Sequence, residues 1–385
     1  PIKSSAASDV YKRQTFIKPK EVIKAVSDSL IHYSANPGRS GHKASIRCAL
    51  KIEEVREKLA SHYNASSSQN VIFTLNCTQA LNLAILGSAK DGGNVICTEN
   101  EHNSVLRPLE HLKQIGKIDY SIAYQSNPIG ITLNDILPLV KNNTYMIVCN
   151  HISNVNGSKA DIKKIGRFCR EKGIIFVVDG AQSCGHERID IKEFGIDYLA
   201  IAGHKGFYAP QSIGALIMND KFRPEPITFG GTGTNSLELF QPDVFPERLE
   251  SGTISTPLII GLGAGVEFVE NNFDDIKAKL DDLTTYLNYE LNKMGIKSYT
   301  QPENANGVVA FNIKDVHSSV IADILNEKYD ICVRSGYHCA PLKHKALGTL
   351  EQGAVRVSIS YFNTFSEIQR LSLIHISEPT RLALI

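Results

Sequence analysis

The sequence has almost no net charge: 41 Lys and Arg stand against 40 Asp and Glu in 385 residues, a formal +1. It also lacks any long basic or acidic run, which argues against nucleic acid or an anionic membrane as the main partner. No apolar stretch approaches the roughly 20 residues that a membrane-spanning helix needs. Nothing at the N-terminus has the charged, apolar and small-residue regions of a signal peptide in order. The eight cysteines (Cys48, Cys77, Cys97, Cys149, Cys169, Cys184, Cys332 and Cys339) form no C-x-x-C pair. Neither a zinc site nor a disulfide framework is indicated, no metal is expected, and a reducing cytosol fits. Internal repeats and low-complexity segments are missing too.

What is present suffices for a large domain and a smaller one, each with its own core, since 42% of the chain is hydrophobic. Two ends stand apart. Residues 1–14 (PIKSSAASDVYKRQ) and 371–385 (LSLIHISEPTRLALI) lack the patterning beside them and resemble translated sequencing-library adapter. They are expected to be non-native or disordered and are set aside from fold reasoning. Residues 15–255 are expected to form the large domain, and residues 256–370 the small one, the boundary following a composition shift near Pro257.

Between the ends, short β-rich runs alternate with helical stretches. Asn70–Thr74, Asn94–Thr98, Tyr145–Asn150, Ile174–Asp179 and Tyr198–Ala202 read as strands. Thr78–Ser88, Val105–Ile115 and Asp161–Lys172 read as helices. The alternation predicts βα units on a mostly parallel sheet, and the unbroken apolar character predicts strands covered on both faces. A long helical region is expected over about Leu258–Met294, then a small α+β segment with strands near Val308–Ile313 and Ala354–Ile359. Ligands of such sheets sit beyond the carboxyl ends of the strands. There the sequence places Asn76, Cys77, Thr78, Glu101, His102, Asn154, Asp179, Gln182, His204 and Lys205.

Lys205 lies in AGHKGFYAPQSIGALI, 26 residues after the Asp179 of VVDGAQSCGH. This pairing of strand-end Asp with strand-end His-Lys resembles the class V aminotransferases, of pyridoxal-phosphate fold type I. That fold has a seven-stranded, mostly parallel α/β domain with a smaller α+β C-terminal domain. The resemblance implies pyridoxal 5'-phosphate held as a Schiff base on Lys205. It implies Asp179 as partner of the pyridinium nitrogen, Gln182 and Asn154 at the edge bearing the phenolic oxygen, and His102 stacked on the ring. Cys77, Thr78 and His204 would line the phosphate. A helix N-terminus suits that anion because its N–H groups are free and its dipole is favourable. Thr253, in LESGT, resembles the threonine that reaches the phosphate of a neighbouring subunit, which implies a homodimer with shared sites. Ala202 departs from the Ser or Thr usual in relatives at that position, so one hydroxyl donor to the phosphate is missing.

The segment VRSGYHCAPLKHKALGT (Val333–Thr349) resembles the Arg-x-Gly-x-His-Cys-Ala segment of cysteine desulfurases and selenocysteine lyases. It implies that Cys339 is the nucleophile, taking sulfur from L-cysteine as a persulfide while alanine leaves. That step needs a thiolate, because a neutral thiol is a poor nucleophile. His102 or His338 stands ready to take the thiol proton. Arg356, in GAVRVSIS, matches the family arginine that grips the substrate carboxylate, for which a guanidinium has the right two-pronged geometry. The loops Asn36–Ser45 (NPGRSGHKAS) and Thr228–Ser236 (TFGGTGTNS) resemble active-site loops of the desulfurase-like branch. A sulfur-acceptor protein is a further expected partner. Competing readings are an aminotransferase, selenocysteine lyase or cysteine β-lyase of the same fold, and a non-catalytic sulfur-trafficking protein.

Overall fold

The computed structural model describes residues 17–37, 41–234, 237–314 and 316–377, with side chains as far as Leu371. The expected tail 1–14 and residues 378–385 lie outside the described residues.

Seven strands form one sheet: β1 (Val71–Thr74), β2 (Gly93–Thr98), β3 (Ile118–Ala123), β4 (Thr144–Asn150), β5 (Ile175–Asp179), β6 (Tyr198–Ala202) and β7 (Gly214–Met218). Their order is β1-β7-β6-β5-β4-β2-β3. The neighbours from β6 to β3 are parallel, and β7 runs antiparallel to both β1 and β6. β4, β5 and β6 are buried along their whole length. Alternate residues feed opposite faces, as a period of two requires. Ile147, Cys149, Phe176 and Val178 join one core, and Met146, Val148, Ile175 and Val177 join the other. A strand with both faces buried has no polar side to show, hence the unbroken apolar runs.

The helices follow local chemistry. Ile162–Lys172 starts at Asp161, whose carboxylate accepts from the Lys164 N–H at 3.2 Å, and stops at left-handed Gly173. The helical region expected over 258–294 consists of two helices, Thr256–Asn271 and Phe273–Lys293, divided at Asn272, where the backbone leaves the helical conformation. The first packs on helices Lys20–His32 and Lys43–His62, although the expected domain boundary at 255 precedes it. Its seat is close: a Cβ on Gly265 would stand 2.1 Å from the Phe207 carbonyl oxygen, so no larger residue fits. The second helix packs on a three-stranded antiparallel sheet, β8 (Lys297–Ser298), β9 (Val308–Asn312) and β10 (Val355–Ser358), ordered β10-β9-β8. The last helix, Phe365–Ser377, runs past residue 370, and Leu371 is buried in the main core.

Candidate active site

Asp179, at the end of β5 and buried, is the hub. Its Oδ1 accepts from the Ala181 N–H at 2.9 Å and lies 3.5 Å from Cys77 Sγ, while its Oδ2 lies 3.3 Å from Asn150 Nδ2. Cys77 is the first residue of the helix Cys77–Gly87, which Asn76 caps by accepting from the Gln79 N–H at 2.9 Å. Burial, reinforced by the charge of Asp179, pushes the Cys77 thiol well up and keeps it protonated. Thr78, the next residue, is exposed at the open helix end. That end offers free N–H groups and a favourable dipole to an anion.

Glu101 lies behind this hub with no exposure. Its Oε1 accepts from Thr98 Oγ1 at 2.7 Å and from the Asn150 N–H at 2.8 Å, whereas its Oε2 is buried without a partner. Burial, helped by the nearby Asp179, pushes the carboxyl up to about 8 from an ordinary 4.5, against the two hydrogen bonds. An acid whose pKa rises on folding stabilises the fold fully below its unfolded pKa and loses that contribution as pH climbs to the folded value. Glu101→Gln, which stays neutral, should therefore gain melting temperature relative to the parent between about pH 5 and about pH 8. Parallel thermal melts across that range check this, and a constant gap between the two proteins would refute it.

His102 caps the helix Asn103–Gln114: its Nδ1 accepts from the Ser104 N–H at 3.1 Å and lies 2.8 Å from Ser104 Oγ. With Nδ1 used as an acceptor, Nε2 carries the ring hydrogen. Burial, helped by the Lys205 and Arg334 charges and opposed by Asp179, lowers its pKa, so the ring is neutral.

Lys205 follows β6 and is half-buried in a tight turn, its N–H donating to the Ala202 carbonyl at 3.3 Å. The turn is pressed against the loop that follows β5, which also carries buried Gln182. A Cβ on Gly206 would meet the Cys184 carbonyl oxygen at 1.9 Å. His204 has a buried Nδ1 without a partner, and burial beside Lys205 and Lys18 lowers its pKa to about 4.

The C-terminal segment closes over these strand ends. Arg334 and Arg356 form an antiparallel bridge, with N···O distances of 3.1 and 2.7 Å. Buried Arg356 donates from Nη1 to the Asn154 carbonyl at 2.8 Å. Asn154 Nδ2 donates to the His338 carbonyl at 2.7 Å, leaving Asn154 Oδ1 buried and unpartnered. The Asn103 N–H donates to the Cys339 carbonyl at 2.7 Å, and Arg334 Nη2 stands 3.7 Å from Cys339 Sγ. His338 donates from Nε2 to the Ala354 carbonyl at 3.1 Å. Burial, with Arg356, His344 and Arg334 adding to it, lowers the His338 pKa to about 2, so this ring is neutral at neutral pH and keeps only its Nε2 hydrogen.

The residues at these strand ends fit what pyridoxal phosphate would present. Asn154 Oδ1 is an acceptor for an ammonium or imine N–H, the Asp179 carboxylate for a pyridinium N–H, and the capped helix end is a donor set for a phosphate. Thr253 is placed elsewhere. It is exposed and lines a surface cleft of about 180 Å³ with Asn36, Pro37, Arg56, Thr232 and Glu250. The cleft unites parts of both Gly-containing loops, of which residues 38–40 and 235–236 lie outside the described residues. Sequence reasoning missed Asn150, the carboxyl network of Glu101, and the pairing of Lys343 with Glu99. For Asn150 the signal was available, since it ends a strand beside Asp179.

The aminotransferase class-V family profile matches residues 12–371. A probable cysteine desulfurase of Methanothermobacter thermautotrophicus is 34% identical, covering 92% of this chain and 90% of that protein. One of Pyrococcus abyssi is 33% identical with the same coverage. The apo structure of a cysteine desulfurase from Thermococcus onnurineus superposes with a TM-score of 0.88 at 30% identity, covering 94% of this chain and 92% of that one. A cysteine desulfurase structure from Escherichia coli gives a TM-score of 0.86 at 25% identity, covering 99% and 96%. With its sheet order, its strand-end constellation and a family match over nearly its whole length, the chain belongs to the class V aminotransferase family.

Proposed function

We propose that this protein is a pyridoxal-phosphate-dependent cysteine desulfurase. The observation that carries the reading is the placement of Cys339, docked by its carbonyl on the residue after His102 and set beside Arg334, over strand ends that carry Lys205 and Asp179. Lys205, Asp179, Gln182, His204, Cys77 and Thr78 would hold the cofactor. When bound, it supplies an electron sink for the substrate's α-carbon.

The chain's residues do the rest. Arg356, fixed by its bond to the Asn154 carbonyl, receives the carboxylate of L-cysteine as a planar fork. Lys205 Nζ, once released to the substrate, removes the Cα proton and returns one later. Cys339 attacks the substrate sulfur as a thiolate. The new S–S bond forms as the substrate Cβ–S bond breaks, and the electron pair stays on Cβ, which takes a proton. The substrate leaves as alanine, and Cys339 keeps the sulfur as a persulfide for a thiol or protein acceptor. Neither histidine offers a ready base: Nδ1 of His102 is engaged by Ser104, and the His338 ring is too weakly basic. The Arg334 guanidinium stands 3.7 Å from Cys339 Sγ.

Exposed apolar side chains support a homodimer. Leu237, Leu239, Phe240 and Val244 are 100%, 100%, 87% and 61% exposed close in sequence to Thr253, and Leu30, Ile31, Ile46 and Leu50 are exposed on the first two helices. Apolar surface of this kind marks an interface, and Thr253 would reach the neighbouring site from it. Sedimentation velocity of Leu237→Asp/Phe240→Asp should show monomers where the parent shows dimers, and an unchanged dimer would count against this face. Among the described residues, which include all eight cysteines, no disulfide is formed, which supports a reducing, cytoplasmic setting. No described helix is long and apolar enough to cross a membrane.

The direct test is mass spectrometry of the holoenzyme after incubation with L-cysteine. A gain of one sulfur on the peptide bearing Cys339 is expected, with alanine formed. Alanine without any modified Cys339 would favour another sulfur acceptor, and pyruvate with sulfide in place of alanine would favour a β-lyase.

A further inference from the structure

The residues that join β2 to its helix, Glu99 to Asn103, reach every part of the site. Glu101 holds Asn150 and, through it, Asp179; His102 caps the helix; the Asn103 amide holds the Cys339 carbonyl. Glu99 makes the remaining tie. Its Oε1 lies 3.0 Å from Nζ of Lys343, which also donates to Gln125 Oε1 at 3.1 Å. Gln125 is held in turn by Asn100 Nδ2 at 3.3 Å. The Lys343 and Glu99 side chains are 3% and 5% exposed. Lys343 sits in the helix Pro341–Leu347, which begins two residues after Cys339.

An ion pair this deep is a poor source of stability, because removing two charges from water costs about as much as their attraction returns. It is an effective source of register. Apolar side chains tolerate sliding, whereas Nζ has one position from which it meets both oxygens, and any other seat leaves a buried charge unmatched. The segment it anchors needs such restraint. His338 and Cys339 both have left-handed backbones, with φ of +49° and +58°. Non-glycine residues adopt that conformation at a cost and keep it only where the surroundings impose it.

We propose that Lys343 and Glu99 are positioning residues for sulfur transfer, a buried clamp that fixes where Cys339 Sγ stands relative to the substrate sulfur. The inference rests on Cys339 being the sulfur acceptor. The clamp acts only through the loop that carries it and touches neither cofactor nor substrate.

The test uses holoenzyme carrying Glu99→Leu/Lys343→Met, which removes both charges and fills the space, so that no unmatched charge is left to unfold the protein. Three quantities are read: cofactor absorbance, the rate of Cys339 alkylation by iodoacetamide without substrate, and kcat and KM for L-cysteine. Expected are unchanged cofactor absorbance and KM, an alkylation rate changed severalfold, and kcat lower by ~10–100-fold, as for a nucleophile displaced by about 1 Å. Parent-like alkylation and kcat would overturn the clamp, and so would a loss of cofactor binding or a raised KM with kcat intact. Single Lys343→Met, which strands Glu99, should show the same alkylation change with a lower melting temperature. An altered alkylation rate in a protein whose Cys339→Ala form stays fully active would show that the pair holds the loop but would reject the desulfurase reading and, with it, the role in sulfur transfer. Parent-like alkylation beside an inactive Cys339→Ala would overturn the clamp alone, so the two failures separate.

Discussion

Lys205→Ala protein mixed with pyridoxal phosphate should hold the cofactor without a bond that borohydride can reduce, and its desulfurase activity should fall by ~10³-fold or more. Two losses combine in this variant. The amine that anchors the cofactor is gone, and so is the base at the substrate's α-carbon. General acid–base catalysis alone contributes about 10²–10⁴-fold. Non-covalent affinity should survive, since Asp179 keeps its bonds to Ala181 and Asn150, and the helix end at Cys77–Thr78 does not depend on the lysine. Borohydride reduction followed by peptide mass spectrometry reads the result. A reduced adduct persisting in Lys205→Ala would move the assignment to another lysine.

Cys339→Ala should keep the cofactor colour and the fold but form no persulfide, with alanine production from L-cysteine lower by ~10²–10³-fold, the scale on which loss of an activated nucleophile is felt. The fold should tolerate the change. Alanine at φ +58° meets the same backbone cost as cysteine, and the anchoring bonds of this loop use the carbonyls of residues 338 and 339, not the sulfur. The variant therefore separates chemistry from structure. Full turnover of L-cysteine by Cys339→Ala would reject this role for the thiol, with pyruvate and sulfide in place of alanine marking a β-lyase and a keto-acid requirement marking an aminotransferase.

The fold was legible where strands are buried on both faces. β4, β5 and β6 are continuous apolar runs ending in Asn150, Asp179 and Ala202, and a sequence reader finds such runs without help. β3 was less legible because IDYSIA has one exposed and three half-buried positions at the sheet's edge. The helical region over 258–294 was legible as such, but nothing in Glu-Asn-Asn-Phe announces the break at Asn272. Of the site, the lone strand-end residues were visible because each sits where a parallel sheet exposes its ligand edge. The pairs were not. Glu99 and Lys343 are separated by 244 positions, and each taken singly reads as a solvated charge. Likewise, that His338 is spent on the Ala354 carbonyl depends on a fold-back that no local pattern encodes.

The placement of β7 has a consequence for how the enzyme is made. β1, which delivers the anion-binding helix end, has β7 as its one neighbour in the sheet, with Val71 opposite Ile217 and Thr74 opposite Gly214. Synthesis runs from the N-terminus, and contacts that close long loops are slow to form. The strand leading to Cys77 and Thr78 therefore has no seat in the sheet until about residue 218 has left the ribosome, by which time Asp179 and Lys205 have already been synthesised. Closure of the anion-binding end is thereby tied to near-completion of the large sheet, and the sulfur-handling segment Val333–Thr349 follows it in synthesis.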